Sequence, residues 1–70
     1  MKTIEASMAG TVLNILVSVG EQVNAGDTVA LLESMKMEIP VESTVSGVVK
    51  EVNFESGDFV NEGDALLVLE

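Results

Sequence analysis

Residues 10–33 read GTVLNILVSVGEQVNAGDTVALLE, and residues 47–70 read GVVKEVNFESGDFVNEGDALLVLE. The two segments align without a gap at a separation of 37 residues, and nine of their 24 positions are identical. Chance agreement for this composition is roughly two positions, so the segments form an internal repeat. The identical pairs are Gly10/Gly47, Val12/Val49, Gly20/Gly57, Val23/Val60, Asn24/Asn61, Gly26/Gly63, Asp27/Asp64, Leu32/Leu69 and Glu33/Glu70. The repeat predicts two copies of one unit, and we expect residues 1–70 to form a single domain.

Each copy predicts strands and no helix longer than one turn, because no segment keeps an apolar period of 3.6 residues. Residues 11–19 alternate between apolar and polar at their end, which indicates a strand. A break in their period predicts a β-bulge at residues 13–14, with a second bulge at residues 50–51. The runs 28–32 and 65–69 are almost wholly apolar, which predicts strands that are buried on both faces.

Glycine–acid pairs predict two turns in each copy. They are Gly20-Glu21, Gly26-Asp27, Gly57-Asp58 and Gly63-Asp64. Between the two turns of each copy, Val23 and Val60 are expected to fill the core.

Two equal halves that each bury one face predict a two-fold arrangement, in which each half supplies strands to both of two packed sheets. Residues 38–42 and 2–6 are expected to form matching strands in this arrangement. The connection 34–46 contains Lys36, and by symmetry we expect this lysine at the end of the molecule opposite the chain termini.

The composition restricts the classes of function. The net charge is −9, and the chain contains no Cys, His or Tyr. Nucleic acid and membrane partners are therefore not expected, and a disulfide or a Cys/His metal site is excluded. Most of the acids are interpreted as a solvated surface. No apolar run has the length of a membrane span or a signal peptide, so we expect a cytoplasmic protein. We also expect the isolated domain to be monomeric.

Catalysis by the chain alone is not expected. The usual general bases and thiol nucleophiles are absent, and a chain of 70 residues has little room for a substrate pocket of about 300 Å3 or more. A carboxylate pair could still supply acid–base chemistry, so an enzyme stays the third alternative.

A chain reversal is predicted where local chemistry disfavours one. Residues 31–39, LLESMKMEI, contain no Gly, Asn, Asp or Pro, although the repeat requires the strand to end near Glu33. The reversal therefore falls close to Met35 and Lys36, which are poor residues for the positive φ angles of a tight hairpin. A turn built from residues that disfavour its backbone conformation indicates a functional role for those residues.

The residues at this turn carry a family resemblance. E-S-M-K-M at residues 33–37, G-T-V at residues 10–12 and the V-x-x-G-D spacing of both copies resemble the biotinyl domain of biotin-dependent carboxylases, the biotin carboxyl carrier domain of the biotinyl/lipoyl family. The resemblance covers residues 6–70. It implies an all-β fold, a flattened barrel-sandwich of two four-stranded antiparallel sheets with internal quasi-two-fold symmetry and Lys36 on a tight hairpin.

The resemblance also implies a cofactor and partners. Lys36 would carry biotin as an amide, attached by a biotin protein ligase. The attached biotin would carry carboxyl groups from a biotin carboxylase to a carboxyltransferase. An exposed lysine is protonated at neutral pH, so the ligase would have to supply the base and the activated biotinyl-adenylate.

The neighbours of Lys36 are assigned recognition roles. Met35 and Met37 are two residues apart, so an extended segment would place both on one side and Lys36 on the other. We interpret this pair as a recognition surface for the ligase and the carboxylase partners, with gap filling in the core as the alternative. Ser34 stands where many family members have Ala. Glu33 and Glu38 are candidates for charge recognition, with a structural role for Glu33 and solubility for Glu38 as alternatives.

One further departure from the family and several alternatives stay open. The gapless repeat leaves no room for the inserted "thumb" of some bacterial carrier domains. The nearest rival is a lipoyl carrier, which usually has D-K-A or a similar triplet at the turn, and an interaction domain with an unmodified lysine is the other. A chain that begins at Met1 is expected to be a separate subunit of the acetyl-CoA carboxylase type, used in fatty acid biosynthesis, although a piece of a larger carboxylase would look similar.

Overall fold

The computed structural model describes residues 2–70, and every regular element in that range is a β-strand. Met1, the first residue of the predicted domain, lies outside the described residues. The strands are β1 (Lys2–Glu5), β2 (Gly10–Ile15), β3 (Gln22–Val23), β4 (Thr28–Ser34), β5 (Met37–Glu42), β6 (Gly47–Val52), β7 (Phe59–Val60) and β8 (Ala65–Leu69).

The eight strands form two antiparallel sheets of four strands each, which confirms the predicted fold class. One sheet has the order β1-β8-β6-β3, and the other has the order β5-β4-β2-β7. Each half of the chain thus contributes two strands to each sheet. A shift of 37 residues carries β5, β4, β2 and β7 onto β1, β8, β6 and β3, so the sheet order itself repeats.

The predicted bulges lie where the apolar pattern places them. The pairing of β2 with β4 shifts register between Val12 and Asn14, and the pairing of β6 with β8 shifts between Val49 and Glu51. An extra residue in one strand restores the inward direction of the apolar side chains that follow it. A second matching pair of irregularities, at residues 28–30 of β4 and 65–67 of β8, is not visible in the apolar pattern.

The first long strand is shorter than predicted. It ends at Ile15, although alternation continues to Val19. The Leu16 amide still donates to the carbonyl of Val29 at 2.9 Å, but residues 17–19 leave the ladder to enter the next turn. Alternation of apolar and polar residues therefore continues past the last paired residue, and a prediction based on it makes the strand too long.

The core lies between the two sheets. It contains thirteen buried apolar residues drawn from both halves of the chain: Ile4, Ala6, Val12, Val23, Val29, Ala30, Leu32, Val41, Val49, Val60, Leu66, Leu67 and Leu69. Val23 and Val60 are fully buried at 0% exposure, which confirms their predicted place. Their strands β3 and β7 have only two residues each, so these elements depend on the buried valine for their position.

The four acids of the predicted Gly–acid pairs close their turns with hydrogen bonds. The Asp27 carboxylate accepts a hydrogen bond from the Asn24 amide at 2.9 Å, and Asp64 does the same for Asn61 at 2.8 Å. Glu21 and Asp58 accept equivalent bonds from the amides of Ser18 and Glu55, both at 2.9 Å. A side chain that bonds the backbone three residues earlier holds a tight turn in one conformation.

The turn glycines complete this arrangement. Gly26 and Gly63 have φ angles of 95° and 90°, a region that residues with a Cβ rarely adopt. Each lies directly before the aspartate that closes the turn, so the Gly-Asp pairs predicted as turns combine a backbone requirement with a side-chain bond.

The hairpin after β4 lies at the end opposite Lys2 and the C-terminal end of β8, which agrees with the predicted placement for the described residues. The Lys2 amine donates a hydrogen bond to the carbonyl oxygen of Ser46, and the Ser46 hydroxyl accepts one from the Ala25 amide at 3.1 Å. Because β1 pairs with β8, the C-terminal strand lies at the same place. Ala25 precedes β4, which leads away from this turn for about 20 Å, at roughly 3.3 Å per residue, to the hairpin.

None of the secondary structure in residues 2–70 is a helix with the length and apolar character that a membrane crossing requires.

The buried valines test the core. We expect Val60→Ala to lower the free energy of unfolding by about 2 kcal/mol, because it removes two buried methyl-sized groups and leaves a cavity. Val48→Ala is the matched control, since Val48 is 38% exposed and its loss should change stability by only about 0.5 kcal/mol. Urea unfolding measures both values, and equal losses would contradict the assigned core.

Candidate functional site

The reversal after β4 is a two-residue hairpin. Ser34, the last residue of β4, pairs directly with Met37, the first residue of β5. Met35 and Lys36 are the only residues between the strands, and their φ angles are 51° and 65°. These two are the only non-glycine residues with positive φ in residues 2–70. The structure thus confirms both the position of the predicted turn and the conflict with local preference.

Strand geometry explains why this conformation is forced. A two-residue loop matches the right-handed twist of its strands when both central residues have positive φ, as in a type I′ turn. Asn and Gly adopt this region at little cost, whereas other L-residues are disfavoured by roughly 1–2 kcal/mol each. The strand register fixes the loop at two residues, because Glu33 of β4 pairs with Thr11 on one side and with Glu38 on the other.

The side chains at the tip of the hairpin are exposed. Met35 is 93% exposed and Met37 is 64% exposed, so the alternative that they fill gaps in the core is wrong. Lys36 is also exposed, and within residues 2–70 its amine makes no hydrogen bond or ion pair. The turn also overturns the extended geometry from which the methionines were assigned to one side, because left-handed residues do not alternate as strand residues do.

The two glutamates of the motif face each other across the hairpin. Glu33 and Glu38 are direct cross-strand partners, and both are exposed. Like charges in opposite positions destabilise a strand pair by a few tenths to about 1 kcal/mol. The half-buried Ser34 lies between this pair and the turn. The structure therefore brings all six predicted site residues together, and the tip combines backbone strain with charge repulsion.

The other two lysines are placed differently. Lys2 lies in β1, and its amine is engaged with the carbonyl of Ser46. Lys50 lies in β6 at the bulge between Val49 and Glu51. Lys36 is thus the lysine at the tip of a hairpin, whereas Lys2 and Lys50 lie within strands.

Gly10 is a neighbour of the hairpin whose role the sequence patterns do not reveal. It begins β2, and a Cβ at this position would lie 2.7 Å from the carbonyl oxygen of Glu33. The available signal is its counterpart Gly47, because a glycine begins the equivalent strand of both copies. A repeated glycine at a strand start indicates a close backbone approach.

A groove of about 290 Å3 lies between β1 and β5, close to the size at which ligand pockets begin. Its lining comes in pairs related by the repeat: Thr3 and Pro40, Ile4 and Val41, Glu5 and Glu42, Ser7 and Thr44. None of the six predicted site residues lines it. Within residues 2–70, no group of three or more His, Cys, Asp or Glu side chains is arranged to hold a metal ion.

Comparison with known proteins decides the family. The profile described as "Biotin-requiring enzyme" matches residues 2–69, almost the whole chain. The chain belongs to this family. The "Biotinylated protein TB7.3" of Mycobacterium tuberculosis is similar, with 53% identity over 38 residues that make up 54% of each chain. This chain therefore spans about half the length of the curated relatives it matches.

Solved structures extend the match to the fold of this family member. Urea carboxylase of Kluyveromyces lactis superimposes on 99% of this chain, with a TM-score of 0.90 and 33% identity. The matched part makes up 6% of the carboxylase. A single-chain long-chain acyl-CoA carboxylase superimposes on 94% with a TM-score of 0.86 and 30% identity, again over 6% of its length. The cofactor of this family member is biotin, and the chain is a carrier domain of the biotin-dependent carboxylase kind.

The strain in the hairpin can be tested by one substitution. We expect Met35→Asn to raise the free energy of unfolding by about 1 kcal/mol, since Asn tolerates the left-handed conformation at the first central position of the turn. Met37→Asn is the control, because Met37 lies in β5 without positive φ and Asn is disfavoured in strands. Urea unfolding of both variants measures the difference, and an unchanged or reduced stability of Met35→Asn would contradict the strain.

Proposed function

We propose that Lys36 is the residue to which biotin is attached, and that residues 1–70 act as one biotinyl domain that carries it. The observation that supports this is the state of the Lys36 side chain. It is exposed at the tip of a hairpin, and no group in residues 2–70 bonds its amine. A side chain that must enter the active site of another enzyme needs both properties, so the residues present fit a covalently held biotin.

The attachment reaction needs chemistry that this chain does not contain. The amine of Lys36 must lose its proton to a base and then form an amide bond with the carboxyl carbon of biotin. A biotin protein ligase would present that carbon as a mixed anhydride with AMP, and the bond to AMP breaks as the amide forms. No side chain of the described residues contacts the Lys36 amine in a way that could accept its proton. The ligase therefore supplies the base and the activated carboxyl group.

Attached biotin would serve to hold a carboxyl group between two reactions, one at a biotin carboxylase and one at a carboxyltransferase. The chain itself supplies a rigid base, because β4 and β5 hold both ends of the turn. Tethering raises the effective concentration of the carried group at both sites to the millimolar range for short flexible links.

The side chains around Lys36 are proposed to identify it to these partners. Met35 and Met37 offer exposed, flexible apolar contacts, of the kind used by surfaces that bind several partners. Glu33, Glu38 and Ser34 add charge and a hydroxyl beside them. A partner that approaches the tip would gain from a positively charged site, since the chain has a net charge of −9.

The finer assignment is an acetyl-CoA carboxylase system of fatty acid biosynthesis in the cytoplasm. The likeness to a long-chain acyl-CoA carboxylase supports an acyl-CoA acceptor. The absence of cysteine is compatible with a reducing compartment.

Attachment at Lys36 is tested by coexpression with a biotin ligase, followed by intact mass and peptide mapping. We expect the mass of one biotin on the wild-type chain, located on Lys36, and none on Lys36→Arg. Lys2→Arg and Lys50→Arg are matched controls that keep the charge and should carry biotin as the wild type does.

Other outcomes separate the alternatives. Biotin on Lys50 or Lys2 would contradict the assignment of the site. Lipoate on Lys36 would identify a lipoyl carrier, and an unmodified chain in the presence of an active ligase would identify an interaction domain.

The methionines are tested by the double variant Met35→Leu with Met37→Leu. We expect the fold to persist and biotin attachment to continue at a reduced rate, with carboxyl transfer reduced more than attachment. Met8→Leu is the control, because Met8 is another exposed methionine outside the hairpin. Circular dichroism and ligase kinetics measure these effects, and loss of the fold in the double variant would show that these side chains are structural.

A further inference from the structure

Gly10 and the backbone of Glu33 are in closer contact than any side chain would permit. A Cβ at residue 10 would lie 2.7 Å from the carbonyl oxygen of Glu33 and 3.4 Å from its carbonyl carbon. Gly10 does not have positive φ, so the requirement for glycine here is one of space and not of backbone conformation. An alanine could be accommodated only if the backbone of β2 or of β4 moved.

The atom that would be displaced belongs to the base of the hairpin. Glu33 is followed by Ser34 and then directly by the Met35-Lys36 turn. It is held from both sides, by Thr11 of β2 and by Glu38 of β5. A shift of its carbonyl would therefore move both strands of the hairpin, and the turn with them.

The second copy of the repeat contains the same contact away from Lys36. A Cβ at Gly47 would lie 2.5 Å from the carbonyl oxygen of Glu70 and 3.5 Å from the amine of Lys2. Gly47 begins β6 and pairs with Val23, at the end of the molecule where Lys2 of β1 pairs with Leu69 of β8. The two glycines thus meet the same steric demand, but only Gly10 supports the lysine hairpin.

We propose that Gly10 is a positioning residue for the modification of Lys36. By permitting β2 to approach the Glu33 carbonyl, it sets the position from which the hairpin projects toward the ligase. This inference depends on the proposed attachment of biotin at Lys36. Positioning at this level matters because a displacement of about 1 Å can reduce the rate of an enzymatic step by up to about a hundredfold.

The test compares Gly10→Ala with Gly47→Ala, in the full chain and with a biotin ligase. We expect Gly10→Ala to lower kcat/KM for attachment by about tenfold or more, while Gly47→Ala keeps the wild-type value. The methyl resonances of Met35 and Met37 provide a second readout. We expect them to shift in Gly10→Ala and to stay in place in Gly47→Ala.

The effect of Gly10→Ala on the stability of the fold must be separated from its effect on the position of the hairpin. Urea unfolding determines how much each substitution destabilises the fold, and Val23→Ala serves as a destabilised control, since Val23 is buried and pairs with Gly47 and not with Gly10. Should Gly10→Ala not fold alone, the measurement is made with trimethylamine N-oxide, which favours the folded state of destabilised proteins.

The outcomes distinguish this inference from the proposed function. Equal rates for Gly10→Ala and Gly47→Ala, with a biotinylated wild type, would overturn the role of Gly10 and leave the attachment site standing. A reduced rate in Gly10→Ala that Val23→Ala reproduces would overturn it as well. A wild-type chain without biotin on Lys36 would overturn the proposed function and this inference together.

Discussion

Strand β4 is paired on both of its sides, with β2 and with β5, and this double pairing determines where the chain reverses. Its buried residues Val29, Ala30 and Leu32 anchor the strand in the core. A slip of one residue would move Ala30 and Leu32 to the opposite face of the strand, so the register is strongly specified. The Met35-Lys36 turn follows from that register, and local preference has no part in selecting it. The rest of the site depends on this constraint, because it places one lysine on an exposed loop of minimal length.

The energies show how the fold can tolerate such a turn. Two L-residues in the left-handed region disfavour the hairpin by roughly 2–4 kcal/mol, and the opposed Glu33 and Glu38 add up to about 1 kcal/mol. Each fully buried Val or Leu stabilises the fold by about 1.5–3 kcal/mol, and both β4 and β8 contribute several such residues to the core. Packing therefore outweighs the local strain.

The repeat and the apolar period made much of the fold predictable from the sequence, including the two packed sheets, the two bulges and the place of the reversal. The number of four strands in each sheet was implied by the family resemblance, because the two-residue strands β3 and β7 leave no apolar pattern. Other features depend on information that a linear pattern does not contain. Alternation through Val19 hid the end of β2, because period two does not report when pairing stops. The carboxylate bonds of the turns, the Glu33–Glu38 pair and the contact of Gly10 need the register and the backbone path. At the site, the six predicted residues are consecutive and share the hairpin, whereas the extended backbone assumed for residues 35–37 was wrong because Met35 and Lys36 have positive φ.

In the proposed function, this domain presents Lys36 and the partner enzymes supply the reactivity. The most direct measurement is the rate at which a water-soluble active ester of biotin acylates Lys36 in the folded chain without ligase, compared with Nα-acetyl-lysine amide as a free reference. We predict similar rates for the two amines. A Lys36 that reacts many times faster than the free reference in the absence of ligase would contradict the account, because the reactivity would then belong to the hairpin itself.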